Sequence, residues 1–346
     1  MSKLPSLIVL SRSSRKAAPA GDTYNYDVLL QKRTQNASFK NSIVFPGGVT
    51  EAADASPEWL HLLHSFGYTR EDFESKQLIP KLSLAYNLAY LFFKLITAIR
   101  ETFEELGLLV CSQAHKGNSN TWVPSTSDID FKHWQQRVSK DPKELLTLCQ
   151  KLNCYPDVWS LHYWSSWLTP SYLPKRFNSA FFITALKDKP ALIESKREVV
   201  NVEWTTPLDI LTRNKNSEVL LYPPQSYELN KLAHWHDIDK LIEFARDRSK
   251  LGNELFYHSV IKTKDGKALV LPGDDLYPSN VDYYSESPAV QTDKTLTELR
   301  DTSKKAHRFE FHSKTGTSDV KLVLKNLSFD DTDMGESVIP VYVTMD

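Results

Sequence analysis

The chain has 346 residues, 41% apolar and 25% charged, with a formal net charge of −1. That is enough apolar content for one large core or two ordinary ones, and a charge balance that argues against nucleic acid or an anionic membrane as partner. Three cysteines, Cys111, Cys149 and Cys154, leave an odd count at no metal-ligand spacing; they read as small buried residues carrying free thiols in a reducing, intracellular compartment.

The opening residues lack a long apolar segment, so no secretory leader is expected. Residues 1 to 21 carry Lys3, Arg12, Arg15 and Lys16 with no acid. That is a weak mitochondrial-type pattern, and a first strand at Leu7-Ile8-Val9-Leu10 followed by a loop is the preferred reading. Residues 5–10 and 25–33 are apolar and rich in strand formers. Ile43-Val44-Phe45 is a short strand, stopped by Pro46-Gly47-Gly48. Residues 57–63 look helical, with Gly67 as the stop. Residues 83–106 form one long helix with Gly107 as its C-terminal cap. The apolar run Leu82 to Ile99 inside it is borderline in length for a membrane span, but it contains Asn87 and Lys94 and continues directly into Arg100-Glu101. It is read as a buried helix, not a membrane segment. Residues 113–130 are polar and irregular. Residues 131–152 form two helices parted near Asp141-Pro142. Strands follow at 177–186 and 198–204, a helix starts at Pro207, and another spans 237–248. Phe256 to Ile261 and Ala268 to Leu271 pair around the turn Lys264-Asp265-Gly266-Lys267. Residues 278–305 read as a polar linker, and strands close the chain at 320–327 and 337–343. This mixture implies an α+β or α/β/α fold.

Within the long helix, Arg100-Glu101-Thr102-Phe103-Glu104-Glu105-Leu106-Gly107-Leu108 holds three carboxylates in five residues. Glu101 and Glu105 share a helix face, with Glu104 beside them. Like charges so placed repel unless a cation sits among them. Hard divalent cations take oxygen ligands and commonly bridge substrate phosphates. The reading is a helical Mg²⁺ site for phosphate chemistry, and its alternative is a solvated acidic face.

Together with Phe45-Pro46-Gly47-Gly48, this stretch resembles the Nudix box, whose pattern is G, five residues, E, seven residues, then R-E-U-x-E-E-x-G-U, with U bulky and apolar. Gly48 takes the opening glycine, and Arg100, Glu101, Glu104, Glu105, Gly107 and Leu108 the closing half. Asp54 stands where the pattern has Glu, Thr102 where it has a bulky apolar residue, and residues 55 to 99 fill the seven-residue gap. A box split in this way resembles the animal acyl-coenzyme A diphosphatase branch of the superfamily. Val28 to Arg33, the tryptophan-rich Leu161 to Pro170, Lys175 to Phe182, Tyr222-Pro223-Pro224-Gln225 and Leu271 to Tyr277 agree with that branch. The resemblance runs from about residue 5 to about residue 280. It implies a Nudix-type α/β/α sandwich with a mixed sheet over residues 1–235, a helical insertion at 55–99, and a C-terminal extension at 236–346.

The resemblance also implies roles. Glu101, Glu104 and Glu105 hold Mg²⁺ or Mn²⁺. Glu104, Glu105 and Glu198 are the candidates for activating water, with Glu194 and Glu203 as further acids. The Gly48 carbonyl can approach the same ions, and Arg100 can pair with a box carboxylate to orient it. Asp54 is either a peripheral ligand or a helix N-cap. Arg33 faces the substrate, Gly47 and Gly48 line it, and Lys175 and Arg176 meet the 3′-phosphate of coenzyme A; for Arg33, Lys175, Arg176 and Glu198 the alternative is an exposed surface charge. Trp164, Trp167, Phe181 and Phe182 line a substrate channel or belong to the core, and His162 is structural. The expected activity is Mg²⁺-dependent hydrolysis of coenzyme A and acyl-coenzyme A to 3′,5′-ADP and (acyl-)4′-phosphopantetheine. The alternatives are a pyrophosphatase of ADP-ribose, a dinucleotide or a nucleotide sugar, and a non-catalytic Nudix ligand-binding protein. A homodimer is one assembly open to it. The family branch points to the peroxisome, whereas the closing Val343-Thr344-Met345-Asp346 is not of the Ser-Lys-Leu type, which leaves the cytosol or mitochondrion open.

Overall fold

The computed structural model describes residues 2–13, 23–35, 40–75, 84–116, 122–123, 129–250, 255–284, 289–312, 320–327 and 337–341, with backbone alone at 74–75, 84–90 and 337–341. The loop expected after the first strand, much of 113–130, residues 76–83 and the closing tetrapeptide lie outside them.

In chain order the elements are β1 (Ser2–Arg12), β2 (Tyr26–Arg33), β3 (Ile43–Val44), α1 (Glu58–Ser65), α2 (Arg70–Ser75), α3 (Leu84–Leu106), β4 (Cys111–Ser112), α4 (Phe131–Lys140), α5 (Glu144–Leu152), β5 (Tyr155–Pro156), β6 (His162–Leu168), β7 (Phe177–Leu186), β8 (Val199–Thr205), α6 (Pro207–Lys215), α7 (Pro223–Ala233), α8 (Ile238–Ser249), β9 (Leu255–Phe256), β10 (Ser259–Lys262), β11 (Gly266–Val270), β12 (Val290–Gln291), α9 (Leu296–Thr302), β13 (Ala306–His312), β14 (Val320–Lys325) and β15 (Ser337–Val341). The first sheet runs β3-β2-β1-β7-β6-β9, with β8 on β2. It is mixed: β1 lies parallel to β7 and antiparallel to β2.

Period-two alternation explains the layers. Leu7 and Val9 of β1 face α3, α4 and α5, packing with Ile96, Phe103 and Leu148. Ile8 and Leu10 face the other way, onto Ile210, Leu229 and Leu241 of α6, α7 and α8. A strand buried on both faces is apolar on both, and β1 is so from Leu7 to Leu10. The insertion packs into the first of these cores: Trp59 and Leu63 of α1 are buried there.

A second sheet, β12-β10-β11-β13-β14-β15, follows. Leu269, Phe309, Leu322 and Leu324 share the core that holds Ile8, Trp164 and Trp167. Two sequence expectations change here. Phe256 to Ile261 is not one strand, because β9 joins β6 of the first sheet whereas β10 joins β11 of the second. Residues 278–305 are not merely a linker. They contain β12 and α9, and α9 starts at a Thr295/Glu298 capping box. The tryptophan-rich segment is strand β6, whose bulge between Tyr163 and Ser165 breaks strict alternation. The three thiols are buried, as expected, but the fold gathers them: their sulfurs lie within 4.8 Å of one another.

Candidate active site

The last turns of α3 and the Phe45–Asp54 segment meet at the end of β1 and β2. The meeting requires two glycines. A Cβ on Gly47 would sit 2.4 Å from the Pro5 carbonyl oxygen, and its φ is +154°. A Cβ on Gly48 would sit 2.4 Å from Cδ and Oε2 of Glu101. The first glycine lets the segment lie against β1; the second leaves the space the Glu101 carboxylate fills.

Arg100 is the hub. It is 2% exposed, and its Nε donates to Asp54 Oδ1 at 2.7 Å while Nη2 reaches Asp54 Oδ2 at 3.0 Å and the Val49 carbonyl at 2.8 Å. Its Nη1 lies 2.5 Å from Glu104 Oε1 and 3.0 Å from Glu101 Oε1. Asp54 also accepts from Thr97 Oγ1 and from the Glu51 N–H. Its oxygens are therefore committed. It does not cap α1; it closes a capping box on the 3₁₀ turn at Ala52–Ala55 and neutralises the buried Arg100. Thr102 is accommodated in an apolar position because its hydroxyl bonds back to the Ala98 carbonyl at 2.7 Å.

Glu105 is held apart from its two neighbours. Its Oε2 accepts from Gln31 Nε2 at 2.7 Å and the Gly47 N–H at 2.9 Å, and Arg33 Nη1 lies 3.4 Å from Oε1. Burial pushes its carboxyl up to about 7, against the pull of Arg33, the Gly47 N–H and Gln31. Burial also raises Glu101 well above the usual carboxylate range; Arg100 opposes it, and the charges of Glu104, Glu105 and Glu198 add to it. Glu104 is raised by burial too, with Arg100 opposing. Among the described residues, the three glutamates do not close on one point as the thiols do. Glu101 and Glu104 share the Arg100 guanidinium, whereas Glu105 is held behind them by Gln31, the Gly47 N–H and Arg33.

The loop before β8 is docked onto the end of α3. The Ile193 and Ser195 N–H groups donate to the Leu106 and Glu105 carbonyls, both at 2.8 Å, and Gln135 Nε2 bridges the Glu104 and Ile193 carbonyls. Gly107, at φ +66°, makes the approach feasible, since a Cβ there would lie 2.9 Å from Ile193 Cβ. This docking sets Glu198 in the same cleft as the box. Glu203 is committed elsewhere, at 2.6 Å from Arg213, and Glu194 is not among the cleft-lining residues.

The cleft has a volume of about 1080 Å³. Glu101, Glu104, Glu198, Arg33, Gly47, Gly48 and Lys175 line it; Glu105 sits behind them. Arg176 is not brought in. Its Nε donates to the Thr169 carbonyl and its Nη2 to the Tyr283 carbonyl, at 3.0 and 2.5 Å, so the guanidinium staples a loop to the C-terminal region. Trp167 and Phe181 line the cleft, whereas Trp164 and Phe182 are core. His162 begins β6 away from it. Sequence reasoning missed Gln31, Gln135 and Thr97. Gln31 did leave a signal: a polar side chain in a strand buried on both faces needs an internal partner.

Residues 3–232 match the family model described as the NUDT19 Nudix domain, and residues 260–318 match the NUDT19 C-terminal domain. The acyl-coenzyme A diphosphatase NUDT19 of Xenopus laevis is 33% identical over 83% of this chain and 81% of its own length. The human protein of that name is 32% identical over 81% and 79%. The crystal structure of a Nudix hydrolase from Alicyclobacillus acidocaldarius superposes with a TM-score of 0.51, covering 70% of this chain and 96% of its own at 20% identity, a likeness of fold. The split box therefore carries the family as the sequence implied, and this chain belongs to the NUDT19 family of Nudix hydrolases.

Proposed function

We propose that this protein hydrolyses the diphosphate bond of coenzyme A and acyl-coenzyme A, giving 3′,5′-ADP and (acyl-)4′-phosphopantetheine, with Mg²⁺ or Mn²⁺ as cofactor. The observation that carries the reading is a single cleft with box glutamates at one end and aromatic and basic side chains along the rest. That shape suits a long substrate with a diphosphate inside it and an apolar tail. The relatives named acyl-coenzyme A diphosphatase supply the substrate class.

The residues fit a divalent cation. Glu101, Glu104 and Glu198 present hard oxygen donors, and the burial and neighbouring negative charge that raise the Glu101 carboxyl are both offset by a cation. Glu101, Glu104 and Glu105 would hold it, and bound there it would neutralise diphosphate charge and lower the pKa of water. Arg33, at the end of β2 and 14% exposed, turns a guanidinium toward the cleft that can fork two phosphate oxygens. Glu198 lies beside the end of α3 on the docked loop and is the group that takes the proton from an attacking water. Glu105 also accepts from the Gly47 N–H and Gln31 through Oε2, and so positions Gly47 and the end of β2. Trp167 and Phe181 shield the tail from water.

Purified protein incubated with coenzyme A, with and without Mg²⁺, should release 3′,5′-ADP only with the metal, read by chromatographic separation. Intact coenzyme A alongside turnover of another nucleoside diphosphate derivative would defeat the substrate claim.

A further inference from the structure

Trp164 and Trp167 of β6 lie three residues apart, so an unbroken strand would turn them to opposite faces. They share one core instead, while Tyr163 belongs to the other. The register explains this: Tyr163 pairs with Phe182 and Ser165 with Phe181, which leaves Trp164 as the extra residue of the bulge. The bulge brings three donors of β6 onto one carboxylate. Glu228 of α7, fully buried, accepts from Trp167 Nε1 at 2.7 Å and Ser165 Oγ at 2.5 Å through Oε1, and from Trp164 Nε1 at 2.6 Å through Oε2. A carboxylate taken out of water needs such partners, and an indole N–H can only donate.

One of these three donors reaches the cleft. Trp167 lines it together with Leu173 and Phe181, and with Leu269 and Phe311 of the second sheet. Its ring packs against Tyr227 and Phe256, with centroids 5.3 and 4.7 Å away. Apolar packing is non-directional and leaves the rotation of a ring in its own plane weakly fixed. The N–H bond to Glu228 fixes it. Helix α7 borders the cleft as well, through Pro223, Pro224 and Gln225 in its first turn, and Glu228 follows one turn later on the buried side. Glu228 thus ties α7 to β6 just behind the apolar part of the wall, without lining the cleft itself.

We infer that Glu228 is a positioning residue for the acyl end of the substrate: by clamping the Trp167 indole it sets the wall against which the tail lies, and with it the enzyme's discrimination between acylated and free coenzyme A. This rests on the coenzyme A reading above. It gives a part in recognition to a core carboxylate, and a purpose to the bulge that turns Trp164 and Ser165 onto it.

The test compares kcat/KM for octanoyl-coenzyme A and for coenzyme A in the wild type and in E228D, E228Q, W167F, W164F and the double variant E228D/W167F. The ratio of the two is taken on one preparation, so the fraction of folded enzyme cancels. E228D keeps the charge but withdraws it by one methylene. It should lower the ratio of octanoyl-coenzyme A to coenzyme A by roughly 10-fold, about what an altered apolar contact of methylene size is worth. E228Q should recover most of that, because its amide can turn the oxygen to Trp167 and Ser165 and the NH₂ to Trp164. W167F should match E228D, and the double variant should lose no more than either alone, since both break one contact. W164F, which breaks the core half of the clamp, should stay within about twofold of wild type. If the wild type cleaves both compounds and E228D leaves the ratio unchanged, or its loss adds to that of W167F, or W164F lowers the ratio equally, the Glu228 assignment is overturned and the coenzyme A reading stands. Should E228D fail to fold, W167F against W164F decides, and equal ratios overturn the assignment. If the wild type cleaves neither compound, the substrate reading falls and takes this inference with it.

Discussion

Gly47 and Gly48 offer a way to separate folding from chemistry with one methyl group each. In Gly48→Ala the new Cβ would stand 2.4 Å from Cδ and Oε2 of Glu101 and 2.6 Å from Oε1. Carbon contacts are comfortable only at about 3.5 Å or more, so the carboxylate must retreat by about 1 Å. What it meets is the end of a flexible side chain, so the backbone need not move. A misplacement of about 1 Å in a catalytic group costs about 100-fold in rate, or about 2.7 kcal/mol of transition-state stabilisation. G48A should therefore lose about 100-fold in kcat/KM at saturating Mg²⁺, with thermal unfolding within a few degrees of wild type. Gly47→Ala should behave in the opposite way. Its Cβ would meet the Pro5 carbonyl at 2.4 Å and the Ser6 Cα at 2.7 Å, backbone atoms of β1, in a conformation that strains any L side chain. G47A should be recovered poorly or unfold several degrees earlier. Steady-state kinetics and a melting curve on both variants suffice. G48A retaining activity within threefold of wild type would refute the claim that this glycine exists to seat Glu101.

Asp54→Ala removes the partner of a guanidinium that is 2% exposed. Breaking a buried pair from one side costs about 3–5 kcal/mol, so urea unfolding should shift by that order, and a loss below about 1 kcal/mol would mean Arg100 finds other compensation. The metal-free protein should also lose stability as pH rises. Glu105 has a folded pKa of about 7 against an ordinary value of 4.5, so between those values the folded state holds a proton that the unfolded chain has released. Its contribution is full below about pH 4.5 and is lost as pH rises through about 7, on the order of 3 kcal/mol in all. Unfolding followed from pH 5 to pH 8 in the presence of a chelator should show that decline, and added Mg²⁺ should offset it at the alkaline end. A flat profile in chelator would remove burial as the governing influence on Glu105.

The parts of the site that lie along one element were readable from residue types alone. The α3 carboxylates share a face because 3.6-residue periodicity places them there, and Gly107 ends the helix because glycine adopts φ of +66° at low cost. Leu7 to Leu10 is a continuous apolar run, which announced a first strand. What failed to show was pairing between distant segments. Asp54 looked like a ligand or a cap because its partner, Arg100, is 46 residues away. Arg176 looked like a phosphate contact because a basic residue near a strand start gives no hint that two carbonyls will consume its guanidinium. Residues 278–305 read as a linker because α9 buries only Leu296 and Leu299 within a short amphipathic turn.

By itself, then, the sequence determined the superfamily, the catalytic helix and the order of the first strands, since each rests on local periodicity, on a glycine with one tolerable conformation, or on charges a few residues apart. Only the tertiary structure decided that Arg100 is neutralised by Asp54, that Glu198 and not Glu203 joins the cleft, and that Glu228 holds the Trp167 indole. Those outcomes depend on which surfaces β-pairing and core packing bring within a few ångströms, and the interactions that fix them act between residues far apart in the chain.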